Sequence, residues 1–190
     1  LVIADTSRLA VVRQQAVERG RGVLEWGSAI AVGEVRGRTL AVVGGTGKVD
    51  GSSGAVGLVA IIDLTPMADK PPPGAPQPQP EVVAFVALPA IPGDILIHDT
   101  TAIISSWPGT TANGKPGLAS LVDLADPPNA RLIGTIAGVG SRLALAGPNI
   151  LLSTDRTFLK TAPTELSGLH TTTLGSIVLV LDKNEKALSR

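Results

Sequence analysis

The chain of 190 residues is predicted to be all-β and built from a repeated unit, and three observations carry that reading. First, four short apolar runs each end in aspartate: Leu1-Val2-Ile3-Ala4-Asp5, Val59-Ala60-Ile61-Ile62-Asp63, Ala119-Ser120-Leu121-Val122-Asp123 and Val178-Leu179-Val180-Leu181-Asp182. From Asp5 to Asp63, Asp123 and Asp182 the intervals are 58, 60 and 59 residues, a spacing even enough to mark a repeat. Second, a shift of 48 residues lays Glu81 to Ser106 over Asn129 to Thr154 without a gap. Phe85 then falls on Ile133, Ile95 on Leu143, Ile97 on Leu145, and Ile103-Ile104-Ser105 on Leu151-Leu152-Ser153. Third, the apolar runs are short, rich in Val, Ile, Leu and Thr, and bounded by Gly, Pro, Asn and Asp, which is the punctuation of strands.

Taken in order, the chain opens with two strands, the first ending at Asp5. The residues from Ser7 to Gly22 are the exception to the strand pattern, because Arg13 to Arg19 have good helix propensity and are expected to add a helical turn after a short strand. A unit of four strands then ends near Leu88. The next unit is the best defined, with strands expected near Asp94 to His98, Thr101 to Ser106, Leu118 to Leu124 and Ala130 to Ile136. About three more strands follow. Consecutive antiparallel strands in fours, with near-continuous apolar runs, suit small sheets that bury both faces against their neighbours, as the blades of a β-propeller do. About three blades fall short of the four or more that close a ring. Residues 1–190 are therefore expected to form a partial, incomplete propeller whose open blade faces are covered by the remainder of a larger propeller or by another chain. A mean hydropathy of +0.32 fits missing neighbours. Residues 69–80, with Lys70-Pro71-Pro72-Pro73-Gly74-Ala75-Pro76-Gln77-Pro78-Gln79-Pro80, are expected to form an exposed polyproline-type loop that spaces two strands.

Composition narrows the function classes. Sixteen basic residues balance sixteen acidic ones, so no net field draws the chain to nucleic acid or anionic lipid, and none is expected as a partner. There is no cysteine, which removes disulfides, thiolate metal sites and thiol nucleophiles. The longest apolar stretches hold about eight residues against the roughly 20 that a membrane helix needs, so no transmembrane segment is expected. The chain begins without an initiator Met or the plan of a signal peptide, and is expected to start inside a longer polypeptide.

The repeated aspartate has a simple physical role: at the end of a buried strand its carboxylate accepts hydrogen bonds from backbone N–H groups two or three residues on, as in Asp63-Leu64-Thr65-Pro66 and Asp123-Leu124-Ala125-Asp126-Pro127. The segment Ser120-Leu121-Val122-Asp123-Leu124-Ala125-Asp126-Pro127-Pro128-Asn129-Ala130-Arg131-Leu132-Ile133-Gly134 resembles the LVIVD-type repeat of bacterial surface propellers. That pattern is a hydrophobic strand ending in Asp, a short Asp-Pro turn and an outer strand leading to Gly. The resemblance implies a propeller fold and an extracellular or cell-surface setting, and brings no catalytic residues with it.

The candidate chemistry is sparse. Gly44-Gly45-Thr46-Gly47-Lys48 has the glycines of a phosphate-binding loop, but Val49 follows the lysine where Ser or Thr is needed and no helix pattern comes after it. A long connection between two strands is the reading for Gly44 to Gly54. His98-Asp99 with Ser105 and Ser106 supplies the residue types of a hydrolase triad without a nucleophile elbow. His98 is read as a turn or surface histidine, replaced by Ala146 in the aligned unit. Asp94, on an inner strand, and Arg142, its counterpart in the next unit, are placed to pair or to line a channel, but one acid and one base are not the two carboxylates of a glycosidase. Trp26 and Trp107 lie beside strands as packing anchors, with sugar stacking the alternative. Asp94, His98, Arg142 and Trp107 are thus the possible channel or loop contacts, and no cofactor, metal or catalytic set is assigned. Two functions follow from this: a non-catalytic interaction or structural module of a larger bacterial surface or secreted protein, or part of an enzymatic propeller, a hydrolase or lyase, whose active site other blades complete.

Overall fold

In the computed structural model the described residues are 2–5, 10–14, 17–20, 22–49, 56–67, 78–107, 117–137, 139–146, 149–154 and 178–181. They form strands throughout, with two short 3-10 turns at Thr65–Met67 and Pro127–Asn129. The strands are β1 (Val2–Asp5), β2 (Ala10–Gln14), β3 (Glu18–Arg19), β4 (Gly22–Val35), β5 (Arg38–Lys48), β6 (Val56–Asp63), β7 (Glu81–Leu88), β8 (Pro92–His98), β9 (Thr101–Ser106), β10 (Leu118–Asp123), β11 (Arg131–Ala137), β12 (Val139–Ala146), β13 (Asn149–Thr154) and β14 (Val178–Leu181). All pairing is antiparallel and sequential: β1-β2, then a five-stranded sheet β3-β4-β5-β6-β7, a four-stranded sheet β8-β9-β10-β11 and a three-stranded sheet β12-β13-β14. The chain is all-β with antiparallel sheets, as expected; the unit ending at Leu88 has five strands where four are expected, because the short β3 adds to the edge of β4. In the best-defined unit every strand lies within two residues of its expected start. The 48-residue shift carries β9 onto β13 residue for residue.

Among the described residues of Arg13 to Arg19, strand stands where a helical turn is expected. Arg13 and Gln14 pair with Ile3 and Val2 in β2, and Glu18 and Arg19 pair with Val23 and Gly22 in β3. Strand partners satisfy the backbone there, and this overrides a weak local propensity. Most of residues 69–80, together with Asp182 and His170, lie outside the described residues.

Two hairpins set the alternation of faces. Between β4 and β5 the turn is Arg36-Gly37, with φ of 49° and 76°, and positive φ at both central residues is what a two-residue turn of type I′ requires. Between β8 and β9 it is Asp99-Thr100, with Asp99 at φ 50°, a region Asp tolerates better than most residues. From each turn the strands run as buried ribbons: Leu40 to Gly45 in β5, Leu58 to Ile62 in β6 and Ala102 to Ser106 in β9 are all buried. Both faces of these sheets are therefore covered, and this is why the apolar runs are continuous and do not alternate.

The main core lies between the five- and four-stranded sheets, where Val35, Leu40, Val42, Val59, Ile61 and Val86 meet Ile95, Ala102, Ile104 and Val122. The backbone at Gly44 lies so close to β8 that a Cβ there would stand 2.6 Å from Pro92 Cβ and 3.0 Å from Ile95 Cδ1. Ser28 ties the seam by donating its hydroxyl to the Pro92 carbonyl at 2.6 Å. A second cluster, with Val17 over Ala41, Val43, Ala60, Ile62 and Val82, covers the opposite face of the five-stranded sheet. The three-stranded sheet contacts the other side of the four-stranded one through β12, which runs beside β8 and β9. The five- and four-stranded sheets thus meet most closely where β4 lies against β8, and β12 lies beside β8 and β9 alike.

The seam yields a test. Gly44→Ala overfills it and is expected to lower unfolding free energy by about 1–3 kcal/mol. Gly37→Ala, in open space but at positive φ, is expected to cost about 1 kcal/mol from backbone strain alone. Urea denaturation of both variants measures the two effects, and a neutral Gly44→Ala contradicts close packing at this point.

Candidate functional site

Asp63 and Asp123 occupy equivalent places. Asp63 Oδ1 accepts the N–H of Thr65 at 2.9 Å, and Asp123 Oδ1 accepts the N–H of Ala125 at 2.9 Å. The next residue also repeats its bond: Leu64 N–H donates to the Thr39 carbonyl at 2.8 Å and Leu124 N–H to the Thr100 carbonyl at 2.7 Å. Each aspartate thus closes the turn that leaves its strand and ties it to the entrance of the preceding one. Arg38 adds an ion pair to Asp63 at 3.6 Å. The position is structural in both sheets where its side chain is described. Asp5 is the last residue of β1.

Asp94 lies in β8, half-buried, on the side that faces the three-stranded sheet. Its Oδ2 accepts the N–H of Leu143 at 3.1 Å and its Oδ1 the N–H of Ile95 at 3.0 Å. The carboxylate therefore bridges two sheets through a backbone amide of β12, next to Arg142, which is exposed. Asp94 and Arg142 thus lie at the seam of β8 and β12, where the Asp94 carboxylate accepts the main-chain N–H of the residue after Arg142.

His98 ends β8 just before the Asp99-Thr100 turn. It is half-buried, and its Nε2 is enclosed without a hydrogen-bond partner. Ser105 and Ser106 are buried at the far end of the same hairpin, where Ser105 pairs with Asp94 and Ser106 with Pro92, while His98 pairs with Thr101. Four residues of strand separate the imidazole from Ser105, roughly 13 Å at about 3.3 Å per residue. Ser106 Oγ is also engaged, accepting the N–H of Leu118 at 3.0 Å. Histidine and serines are thus held apart by the strands that carry them and cannot share a proton.

The glycine-rich segment corrects its reading as a connection. Gly44 to Lys48 belong to β5 and pair with both β4 and β6. Glycine here allows close approach of backbones: a Cβ on Gly45 would stand 1.7 Å from the Trp26 carbonyl oxygen. Amides committed to two ladders have none left for phosphate. Lys48 is exposed and bonds Glu25 Oε1 at 2.9 Å, and that carboxylate raises the lysine pKa through the hydrogen bond and then through its charge.

The two tryptophans are not buried anchors. They are the only tryptophans of the chain, and they meet edge to face, with ring centroids 6.4 Å apart and planes at 71°. Trp26 projects from β4 at a register shift and is 53% exposed, and Trp107 follows β9 and is 46% exposed. The Trp107 N–H donates to the Ile91 carbonyl at 2.6 Å, which holds this end of β9 beside the approach to β8. An exposed aromatic pair therefore spans the five- and four-stranded sheets at the end opposite the two hairpin turns. Sequence spacing gave no sign of this pairing, because 81 residues separate the rings and only the seam joins them.

Among the described residues no group of three or more His, Asp or Glu side chains is placed to hold a metal ion, and no helix is long and apolar enough to cross a membrane. A scan against protein-family models finds no match, and neither does a comparison with the curated proteins.

Two expectations follow. Asp94→Ala orphans the Leu143 N–H and is expected to cost about 1–3 kcal/mol with faster amide exchange at Leu143, whereas Asp94→Asn keeps an acceptor and recovers part of the loss. Unchanged exchange at Leu143 in Asp94→Ala would show that the bridge carries nothing. Trp107→Ala removes the ring beside Trp26 and is expected to shift Trp26 emission to longer wavelength while leaving the urea midpoint within about 0.5 kcal/mol of wild type, as for an exposed position.

Proposed function

We propose that the chain is a non-catalytic segment of a β-propeller that serves as a protein-interaction module of a larger bacterial surface or secreted protein. The single observation that carries this is the way the sheets stack. They follow one another in chain order, with β4 against β8 and then β12 beside β8 and β9, and this face-to-face succession of small antiparallel sheets supports blades set about an axis. The LVIVD-like segment around Asp123 supports the same reading and the surface setting.

Interaction suits the surface better than catalysis does. The groups that could act chemically are tied into the fold: Asp94 to a backbone amide, Ser106 to Leu118, Lys48 to Glu25. What the surface does offer is the Trp26–Trp107 pair, and exposed tryptophan is among the residues that most often anchor protein contacts. The remainder of a larger propeller, or another chain, covers the outermost sheet faces.

Structure determination of the complete polypeptide tests the architecture. The expected result is a ring of sheets about a channel lined by β4, β8 and β12; a sandwich in which β7 and β11 face each other across a core would overturn it. The functional half is tested with a photo-crosslinker at position 107 and, as control, at Asp126 near the opposite end. An adduct with another protein from position 107 alone is expected. Turnover of ester, glycoside or polysaccharide substrates by the complete polypeptide, lost in Asp94→Ala or His98→Ala, would establish the enzymatic alternative instead.

A further inference from the structure

The aspartate-terminated strand has a fixed place in the sheets. In the four-stranded sheet β10 is third, after β8 and β9; in the three-stranded sheet β14 is third, after β12 and β13; and in the five-stranded sheet β6 follows β4 and β5. β1 ends in the same aspartate, yet among the described residues it pairs only with β2, the strand that follows it. By the repeat, the other edge of β1 is where a first and a second strand belong.

An independent observation concerns β4. The bonds from Leu64 to Thr39 and from Leu124 to Thr100 place Thr39 on Thr100. Through the ladders, Ala41 then falls on Ala102 and Val43 on Ile104, and their cross-strand partners Val32 and Ile30 fall on Ile97 and Ile95. In the four-stranded sheet this pair is covered by β4: Ile95 is 6% exposed, and Ile97 lies against Gly33, where a Cβ would meet it at 3.3 Å. In the five-stranded sheet the equivalent Ile30 and Val32 are 56% and 57% exposed. The same face is closed farther out, over Ala41, Val43, Ala60 and Ile62. Among the described residues it is open above β4, where the first strand of a preceding sheet would lie.

We infer that the free edge of β1 and the Ile30–Val32 stretch of β4 form one docking surface for an antiparallel β-hairpin of the same repeat type. Its second strand adds to β1, and its first strand lays small residues over Ile30 and Val32, as Ala29, Ala31 and Gly33 of β4 lie toward Ile95 and Ile97. Among the described residues β4–β5, β8–β9 and β12–β13 are each paired within their own sheets, so the hairpin is assigned to polypeptide other than these and not to a second copy. This inference rests on the propeller reading and names the partner of its open face.

The test uses the chain as it is, with a cyclised hairpin peptide of the sequence of residues 27–46 as probe, cyclised because an isolated hairpin is marginal in water. Saturable binding is expected, with amide exchange slowed roughly tenfold or more at residues 2–5 and 30–32. The double variant Ile30→Lys/Val32→Lys is expected to lose binding while keeping its thermal midpoint. Binding without protection at residues 2–5, or binding that survives the double variant, overturns the inference. So does a dimer by light scattering that the double variant converts to monomer, which would make a second copy the occupant. In the complete polypeptide, a radial ring in which some other element covers Ile30 and Val32 overturns this inference alone, whereas a non-radial arrangement overturns the reading beneath it.

Discussion

The rest of the structure depends on a carboxylate that closes its own turn. When β6 or β10 ends, the aspartate side chain takes the N–H two residues ahead, and the residue between donates its own N–H to a carbonyl at the start of the neighbouring strand. These two bonds stop the strand, turn the chain outward and lock the register of the second strand against the third. A strand slipped by one residue would send its buried side chains to the wrong face, so a device that holds register in each unit is worth more than its own hydrogen bonds. It also explains why the aspartate recurs where apolar residues on either side of it vary.

With register held, packing follows from side-chain size. Both faces of β5, β6 and β9 are buried, so each sheet must meet a neighbour on each side. Where β4 and β5 meet β8, Gly33 and Gly44 let Pro92, Ile95 and Ile97 approach the backbone directly. Elsewhere in the same core, branched side chains such as Ile61 and Val86 fill the space between the sheets. Asp94 adds a polar link of the same kind one seam further on, from β8 to the Leu143 amide of β12.

The surface that remains has two apolar features of different character. Ile30 and Val32 continue a buried face, flat and aliphatic, and match positions that another sheet covers elsewhere in the molecule. Trp26 and Trp107 instead form an isolated aromatic ridge at the end of a seam, with a polar neighbour in the Lys48–Glu25 pair. A flat aliphatic face suits a strand of the same fold, and an aromatic ridge suits a separate partner.

Most of the architecture was legible in the sequence, because strand length, burial on both faces and turn chemistry leave local marks: runs of β-branched residues, punctuation by Gly, Pro and Asp, and the even spacing of Asp5, Asp63 and Asp123. Local signals failed where a partner distant in sequence decided the outcome. Arg13 to Arg19 have helical propensity, yet Arg13, Gln14, Glu18 and Arg19 take strand pairing from β1 and β4. The glycines from 44 to 47 read as a loop but serve as the thin point that admits another backbone. The candidate site was legible only as residue types. Asp94 could be assigned to an inner strand, but its partner is a main-chain amide, which no pattern of side chains reveals. His98 and the two serines are near in sequence, and strand geometry sets them at opposite ends of a hairpin. The sequence by itself determined the units, their strands and the aspartate turns, all set by forces acting within a few residues. Tertiary structure alone decided which faces meet, which tryptophans touch and which apolar residues stay exposed, because those depend on contacts between units that composition and spacing do not encode.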